Sequence, residues 1–284
     1  MIYIVDSGGT GADWRFINSK GNFNQLHTQG LQAHQSSKSD FEAVFQQVKD
    51  FAEEKPDKIY FYGAGCHRTE PAEKVKALLI AVWPEATIHV YGDVMAAAQS
   101  SCGNAAGISC ILGTGASAVY FDGEKIVKVS PSLGYLLGDE GSGADLGKVL
   151  LKARLENKMP KDLAGFFDKR FGSPDEVLGA LYAAENKQKY LGSFTRFMMQ
   201  HMNKPWMARL IYDRFSIFIK QIKENFGDKI NEVPIHFTGG VAFYFSNLLR
   251  QVANDEGVTV RNISETPIAG LTLYHQQLIE STSK

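Results

Sequence analysis

Cysteine is scarce in this chain, with three in 284 residues. So small and odd a number argues against a disulfide framework and fits a reducing compartment, so a cytoplasmic location is expected. An excess of either charge is also missing: 30 Lys and Arg stand against 31 Asp and Glu, leaving a formal net charge of -1. There is no basic field to hold nucleic acid and no acidic tail. Long apolar runs are absent as well. The longest, such as Ala77–Trp83, fall far below the ~20 residues that a membrane helix needs. Met1 leads straight into an apolar strand with no charged n-region and no cleavage site, so no signal peptide is expected. Neither nucleic acid nor a membrane is expected as a partner.

What is present in quantity is glycine, and it is placed where strands end. Ile2, Tyr3, Ile4 and Val5 form an apolar, largely β-branched run, which reads as a strand buried on both faces. The run stops at Asp6. Ser7, Gly8, Gly9, Thr10 and Gly11 follow, and Trp14, Phe16 and Ile17 resume a β pattern, so the segment is a strand–turn–strand hairpin. Because nothing beyond hydrogen projects from a glycine Cα, several N–H groups of such a turn can converge on a phosphate. An acid beside it, Asp6, is well sited to hold Mg²⁺ directly or through water; the alternative is a tight hairpin with a solvated Asp. The device recurs at Gly113, Thr114 and Gly115, between the strands Ile108–Leu112 and Val119–Phe121. A third glycine turn, Gly239-Gly240, follows a strand at Ile235–Phe237 and leads into a helix.

Read in order, residues 1–105 give β-β-β-α-β-α-β-α, and a second hairpin starts the pattern again at Gly107. Ser39 or Asp40 is expected to cap a helix over Phe41–Glu54. A small-residue helix, Val94–Ser101, follows the strand ending at Gly92-Asp93. The region from Gly143 to about Asn225 is helical, with pieces at Leu146–Asn157, Asp175–Glu185, Leu191–Met202 and Met207–Phe226. Phe194, Phe197, Met198 and Met199 cluster closely, as either a homodimer surface or part of a core. Two motifs mislead. Gly113-x-Gly115-x-x-Ala118 imitates a dinucleotide fingerprint, but a strand follows where a helix is required. Gly141 to Lys148 imitates a Walker loop, with one residue too many and Val149 where Ser or Thr belongs.

Two phosphate-type hairpins in separate halves, plus a late Gly-Gly turn before a helix, resemble the sugar kinase–Hsp70–actin superfamily. The run Gly134–Gly147, GYLLGDEGSGADLG, is similar to the GDEGS block of the N-acetylglucosamine kinase-like branch, also known as BadF/BadG/BcrA/BcrD-type ATPases. That resemblance covers essentially the whole chain. It implies an α/β fold of two ribonuclease H-like (actin-like ATPase) domains, each a mixed sheet flanked by helices, with an interdomain cleft. The domains implied are 1–105 with a returning C-terminal helix 266–284, and 106–265 with a helical insertion.

The activity it implies is ATP-dependent phosphorylation of a sugar hydroxyl, with ATP and Mg²⁺ as cofactors and an amino sugar as substrate. On this resemblance Gly8, Gly9, Thr10, Gly113, Thr114, Gly115, Gly239 and Gly240 bind nucleotide, and Asp6 partners the metal. Asp93 is the general base, with a helix cap as its other possible role, and Asp139 and Ser117 face the sugar. His34, His67 and Arg68 fall on neighbouring loops, and Glu140 anchors its own. The chain departs from the family pattern at Gly11, at Ala116-Ser117, at Pro131–Gly134 and at Leu31–His34. The nucleotide framework is kept while sugar contacts differ, so a non-catalytic nucleotide or sugar sensor is a second reading. A dehydratase activator, which needs an iron–sulfur cluster bridged by cysteine pairs, is a third, with Cys102 and Cys110 the only near pair.

Overall fold

The computed structural model describes residues 1–8 and 11–282. Its contacts divide the chain into two compact units. Unit 1 is Met1–Ala105, Gly123–Ile126 and Thr266–Lys284; unit 2 is Ala106–Asp122 and Val127–Glu265.

Unit 1 opens with three strands, β1 (Ile2–Ser7), β2 (Gly11–Ile17) and β3 (Phe23–Gln29). Helix α1 (Lys38–Phe51), strand β4 (Lys58–Gly63), helix α2 (Thr69–Val82), strand β5 (Thr87–Gly92) and helix α3 (Asp93–Cys102) follow. The sheet order is β3-β2-β1-β4-β5, antiparallel across β1–β2–β3 and parallel across β1–β4–β5. The uninterrupted apolar run in β1 has a direct cause. Tyr3 and Val5 face a core with α1 and α2, whereas Ile4 faces a second core with Ala96, Ile268 and Leu271. A strand buried on both faces cannot alternate with polar residues. Trp14, fully buried, satisfies its indole N–H on Thr28 Oγ1 at 3.0 Å.

The first helix begins earlier than its apolar spacing suggests. Ser37 is the N-cap, accepting from the Asp40 N–H, and the Asp40 carboxylate accepts from the Ser37 N–H in return. Asp40 is thus the far partner of a capping box rather than the cap itself.

Unit 2 begins with strands β6 (Gly107–Leu112), β7 (Ala116–Phe121) and β8 (Ile126–Val129), then helices α4 (Gly134–Leu137), α5 (Gly143–Leu155), α6 (Lys161–Phe171) and α7 (Pro174–Ala183). Next come α8 (Lys187–Gly192), α9 (Thr195–Gln200), α10 (Pro205–Phe226) and α11 (Lys229–Glu232). Strand β9 (Ile235–Thr238), helices α12 (Gly240–Tyr244) and α13 (Ser246–Asp255) and strand β10 (Val260–Ser264) complete it. Its sheet order is β10-β9-β6-β7-β8, with β6–β7 antiparallel and β9 parallel to β6 and β10. Ile108, Cys110 and Leu112 of β6 pack with Phe237, Leu150, Phe215 and Leu249 in one continuous core.

The expected helix over Leu191–Met202 is two short helices, α8 and α9, broken at Ser193-Phe194. Of the four clustered residues, Phe194, Phe197 and Met198 are fully buried in the unit 2 core, whereas Met199 is exposed. Cys110 lies in the same core, as a small apolar residue. No described helix is long and apolar enough to cross a membrane.

The last helix, α14 (Ile268–Thr282), packs back on α3 within unit 1. Gly270 permits the crossing: a Cβ there would lie 2.3 Å from the Ser100 carbonyl oxygen. Beside it the Tyr62 hydroxyl donates to Gln99 Oε1 (2.6 Å) and lies 2.9 Å from His275 Nε2. Burial pushes the His275 pKa down to about 3, so its ring is neutral at physiological pH.

Candidate active site

In unit 1 the sequence-expected acids meet at the C-terminal ends of the parallel strands. Asp6 is the penultimate residue of β1 and Asp93 the first of α3, directly after β5. The N-cap of α3 is Gly92, so Asp93 occupies the first helical position, and its Oδ1 accepts from the Val94 N–H at 3.0 Å. Asp6 is paired in register with Asp13 of β2. Burial, and then the neighbouring carboxylates of Asp13 and Asp93, push the Asp6 pKa up to about 7. Burial raises Asp93 too, opposed by the Val94 N–H and by His67.

The loops around these acids are tied together. The Ser7 hydroxyl donates to Leu31 O (3.0 Å) and accepts from Leu31 N–H (2.8 Å), which fastens the segment bearing His34 to the end of β1. A Cβ on Gly65 would lie 2.9 Å from the His34 ring, and one on Gly92 would lie 3.1 Å from the His67 backbone. His34 and His67 are thus gathered at this end of the sheet, both exposed. Gly8 follows β1, and its N–H donates to Gly11 O at 3.0 Å. Gly9 and Thr10, two of the expected phosphate contacts, lie outside the described residues.

In unit 2 the second glycine turn opens onto a cavity of about 450 Å³. Gly113, Thr114, Gly143, Gly192 and Gly240 line it, with Thr195, Arg196, Met199, Tyr244 and Phe245 around them. The four glycines leave main chain open to whatever enters on their part of the wall, beside the side chains of Arg196, Met199 and Tyr244. The turn is held from behind by the start of α5: Gly143 N–H donates to Gly113 O (2.8 Å) and Ala144 N–H to Thr114 O (3.1 Å). Two of the otherwise unpaired N–H groups of that helix start are thereby satisfied. The amides of Thr114 and Gly115 make no backbone hydrogen bond among the described residues, which leaves two donors for an anion.

The GDEGS block supplies the scaffold for this arrangement. Ser142 caps α5, its hydroxyl accepting from the Asp145 N–H. Asp145 is 1% exposed; its carboxylate accepts from Gly141 N–H (3.0 Å) and from Arg214 of α10 through Nε (2.7 Å) and Nη2 (3.1 Å). Gly147 lets α8 cross α5, since a Cβ there would lie 1.9 Å from Leu191 O. Asp139 stands in the left-handed region at φ 57°. Its carboxylate accepts from the Ala116 N–H and from Gln188 Nε2, while burial, the largest influence, raises its pKa.

The two glycines at the end of β9 have separate roles. Gly240 lines the cavity. Gly239, at φ 120°, has its missing Cβ directed at Leu112 O, 2.4 Å away, so it serves the close approach of β9 to β6 rather than the cavity wall. Ser117 lies half-buried in β7, paired in register with Ile111. Arg196, Met199 and Tyr244 were not legible as cavity residues. Tyr244 had a faint signal, one helical turn beyond Gly240, and its ring is anchored by a hydrogen bond from its hydroxyl to Glu265 Oε1 at 2.6 Å. Among the described residues no group of three or more His, Cys, Asp or Glu is arranged to hold a metal ion.

No protein-family model and no curated protein sequence matches the chain. Solved structures do. A protein provisionally named N-acetylglucosamine kinase from Porphyromonas gingivalis is 31% identical, with a TM-score of 0.87 over 98% of this chain and 99% of its own. A second, given the same provisional name in Chromobacterium violaceum, has a TM-score of 0.73 at 16% identity, covering 96% and 98%. The MreB 5 protein of Spiroplasma citri, solved with AMPPNP, has a TM-score of 0.59 at 10% identity, covering 99% and 98%. The fold defined by these two units is that of the sugar kinase–actin-like ATPase superfamily. Within it, the chain belongs to the N-acetylglucosamine kinase-like family.

Proposed function

We propose that this protein is an ATP-dependent carbohydrate kinase that transfers the γ-phosphoryl group of Mg-ATP to a hydroxyl of an amino sugar, N-acetylglucosamine being the first candidate. The observation that carries the reading is the cavity at the Gly113–Gly115 turn, lined in part by glycine, with two amides that make no backbone hydrogen bond among the described residues. Phosphoryl transfer asks the protein for positioned phosphates, neutralised charge and a base on the attacking oxygen. Thr114 and Gly115 would donate to phosphate oxygens. Asp6 would suit a water-mediated Mg²⁺ contact: burial first, and then the carboxylates of Asp13 and Asp93, raise its pKa, and a cation beside it would favour the ionised form. Bound there, Mg²⁺ would offset charge on the phosphates.

Asp93 would accept the proton of the acceptor hydroxyl. A base whose pKa has moved upward toward the working pH is a stronger proton acceptor, as general-base catalysis favours. Asp139 and Ser117 would meet the sugar. The names of the two bacterial relatives support the acceptor class, and the departures at Ala116-Ser117 and Pro131–Gly134 make its identity the point to test. The experiment is ADP release with N-acetylglucosamine, N-acetylmannosamine, glucosamine and glucose. Turnover on one acetamido sugar at least tenfold above ATP alone is expected; ATP binding without turnover on any sugar would favour the sensor instead.

A further inference from the structure

We propose that Gln188 is a positioning residue that fixes the orientation and ionisation of the Asp139 carboxylate, a role that rests on Asp139 being the acid facing the acceptor. Gln188 Nε2 lies 3.3 Å from Asp139 Oδ2. An ionised carboxylate can only accept, so the amide must present its NH₂ end there. The same carboxylate accepts from the Ala116 N–H, at the first residue of β7. Gly115 sits between the two partners: a Cβ on it would lie 3.0 Å from Asp139 Oδ2 and 3.1 Å from Gln188 Nε2. Its φ is not in the left-handed region, so conformational freedom does not explain this glycine. Room for the Asp139–Gln188 pair does.

Both partners are held from their own sides. Asp139 is at φ 57°, uncommon for a residue with a side chain, and its main-chain oxygen accepts from Ser142 N–H at 3.0 Å. Gln188 stands in the first turn of α8, capped by Asn186, and α8 is seated on α5 by the close contact of Leu191 O over Gly147. One turn further along the same helix, Gly192 lines the cavity. The carboxylate therefore has two fixed donors, and about four acceptor sites in all. Two remain for hydroxyl groups of a substrate, at an angle that the Gln188 bond sets.

The charged groups facing Asp139 are Glu140 in its own loop, and Asp145 and Lys148 on α5. Burial, the largest influence, and the two acids favour the protonated form, while the Ala116 amide and Lys148 favour the ionised one; on the proposal, the Gln188 N–H at 3.3 Å adds to the second group. Removing the Gln188 donor must therefore move the carboxyl titration upward.

The test is a carboxyl-carbon NMR titration of the full-length chain labelled at aspartate, with the Asp139 signal identified by its loss in Asp139→Asn. Gln188→Met keeps the length of the side chain without the donor, and Gln188→Glu keeps its shape while placing a carboxyl against Asp139. The midpoint should rise by ~0.5 unit or more with Met and further with Glu. A midpoint within about 0.2 unit of the wild type in the Met variant would overturn the proposal, whatever the Glu variant shows, because a new carboxyl beside Asp139 raises its titration by charge alone. Should the Met variant fail to fold, Gln188→Ala, which also removes the donor without adding a charge, decides in its place. With N-acetylglucosamine as acceptor, KM for the sugar should rise in the Met variant while KM for ATP stays unchanged. Absence of turnover in the wild type would defeat the kinase reading, whereas the titration reports on Gln188 independently of it.

Discussion

Gly113→Val separates a glycine kept for a ligand from one kept for the fold. A Cβ at Gly113 would meet no atom within 4 Å, and the residue lies outside the left-handed region. The valine Cβ therefore has open space, and the residue lines the 450 Å³ cavity, so its methyls are expected to take up room there. What it obstructs is the approach of phosphate to the amides of Thr114 and Gly115. A hydrogen bond to a charged group contributes ~1.5–3 kcal/mol, so losing two costs about 3–6 kcal/mol of binding. At ~1.4 kcal/mol per tenfold, that is a drop of about 10²–10⁴ in affinity for Mg-ATP. Isothermal titration calorimetry gives the affinity, and a thermal melt without ligand should stay within about 2 °C of the wild type. Gly239→Ala is the counterpart: at φ 120° with Leu112 O 2.4 Å from the new carbon, it should lower the melting temperature before any ligand is added. Unchanged ATP affinity in Gly113→Val would refute the phosphate role of the turn, whatever the melt showed.

Three further outcomes are expected. Asp93→Asn should keep ATP affinity and the melting temperature while lowering phosphoryl transfer by ~10²–10⁴-fold, and near-normal turnover would remove Asp93 as the base. Arg214→Met strands the buried Asp145 carboxylate, which accepts two of its bonds from that guanidinium, so urea melts should register a loss of ~3–5 kcal/mol; a loss under about 1 kcal/mol would mean that solvent replaces the guanidinium. The pKa of Asp6 stands at about 7 in the fold against an ordinary 3.8, so it favours the folded state below pH ~4 and loses that contribution as pH rises through about 7. Asp6→Asn should accordingly raise the melting temperature of the ligand-free protein at pH 8, by at most roughly 4 kcal/mol of stability, and leave it unchanged at pH 4; a variant less stable at pH 8 would contradict the shift.

The parts of the fold that could be read from sequence are those where one residue's neighbours along the chain determine its state. A β-branched run halted by Asp6 and then glycine must turn, and the turn chemistry at Gly113–Gly115 repeats the reasoning. The GDEGS block was legible as a family string, yet its physical purpose was not, because the Asp145–Arg214 pair joins residues 69 apart in sequence. Gly147 and Gly239 look like Gly113 on paper. Only the approach of Leu191 O and Leu112 O separates glycines required by packing from one that faces open space. The Ser193-Phe194 break is not legible in the sequence because Phe194, Phe197 and Met198 keep an apolar pattern across it, and apolar spacing does not record where one helix stops and the next begins. Asp93 was placed correctly at a strand end, but its raised pKa depends on burial, which no spacing rule measures.

The return of α14 onto α3 has a consequence for synthesis. Unit 1 is discontinuous: Ile4, Ile17, Tyr62 and Ala96 share a core with Ile268 and Leu271, although α3 ends at Cys102 and α14 begins at Ile268. At a ribosomal rate of ~5–20 residues per second, the gap corresponds to roughly ten to thirty seconds. For that time one face of the first sheet waits without its final helix while nearly all of unit 2 emerges and can pack. The half made first is thus the half finished last, and the nascent chain carries an uncovered apolar surface that chaperones would meet before the substrate does.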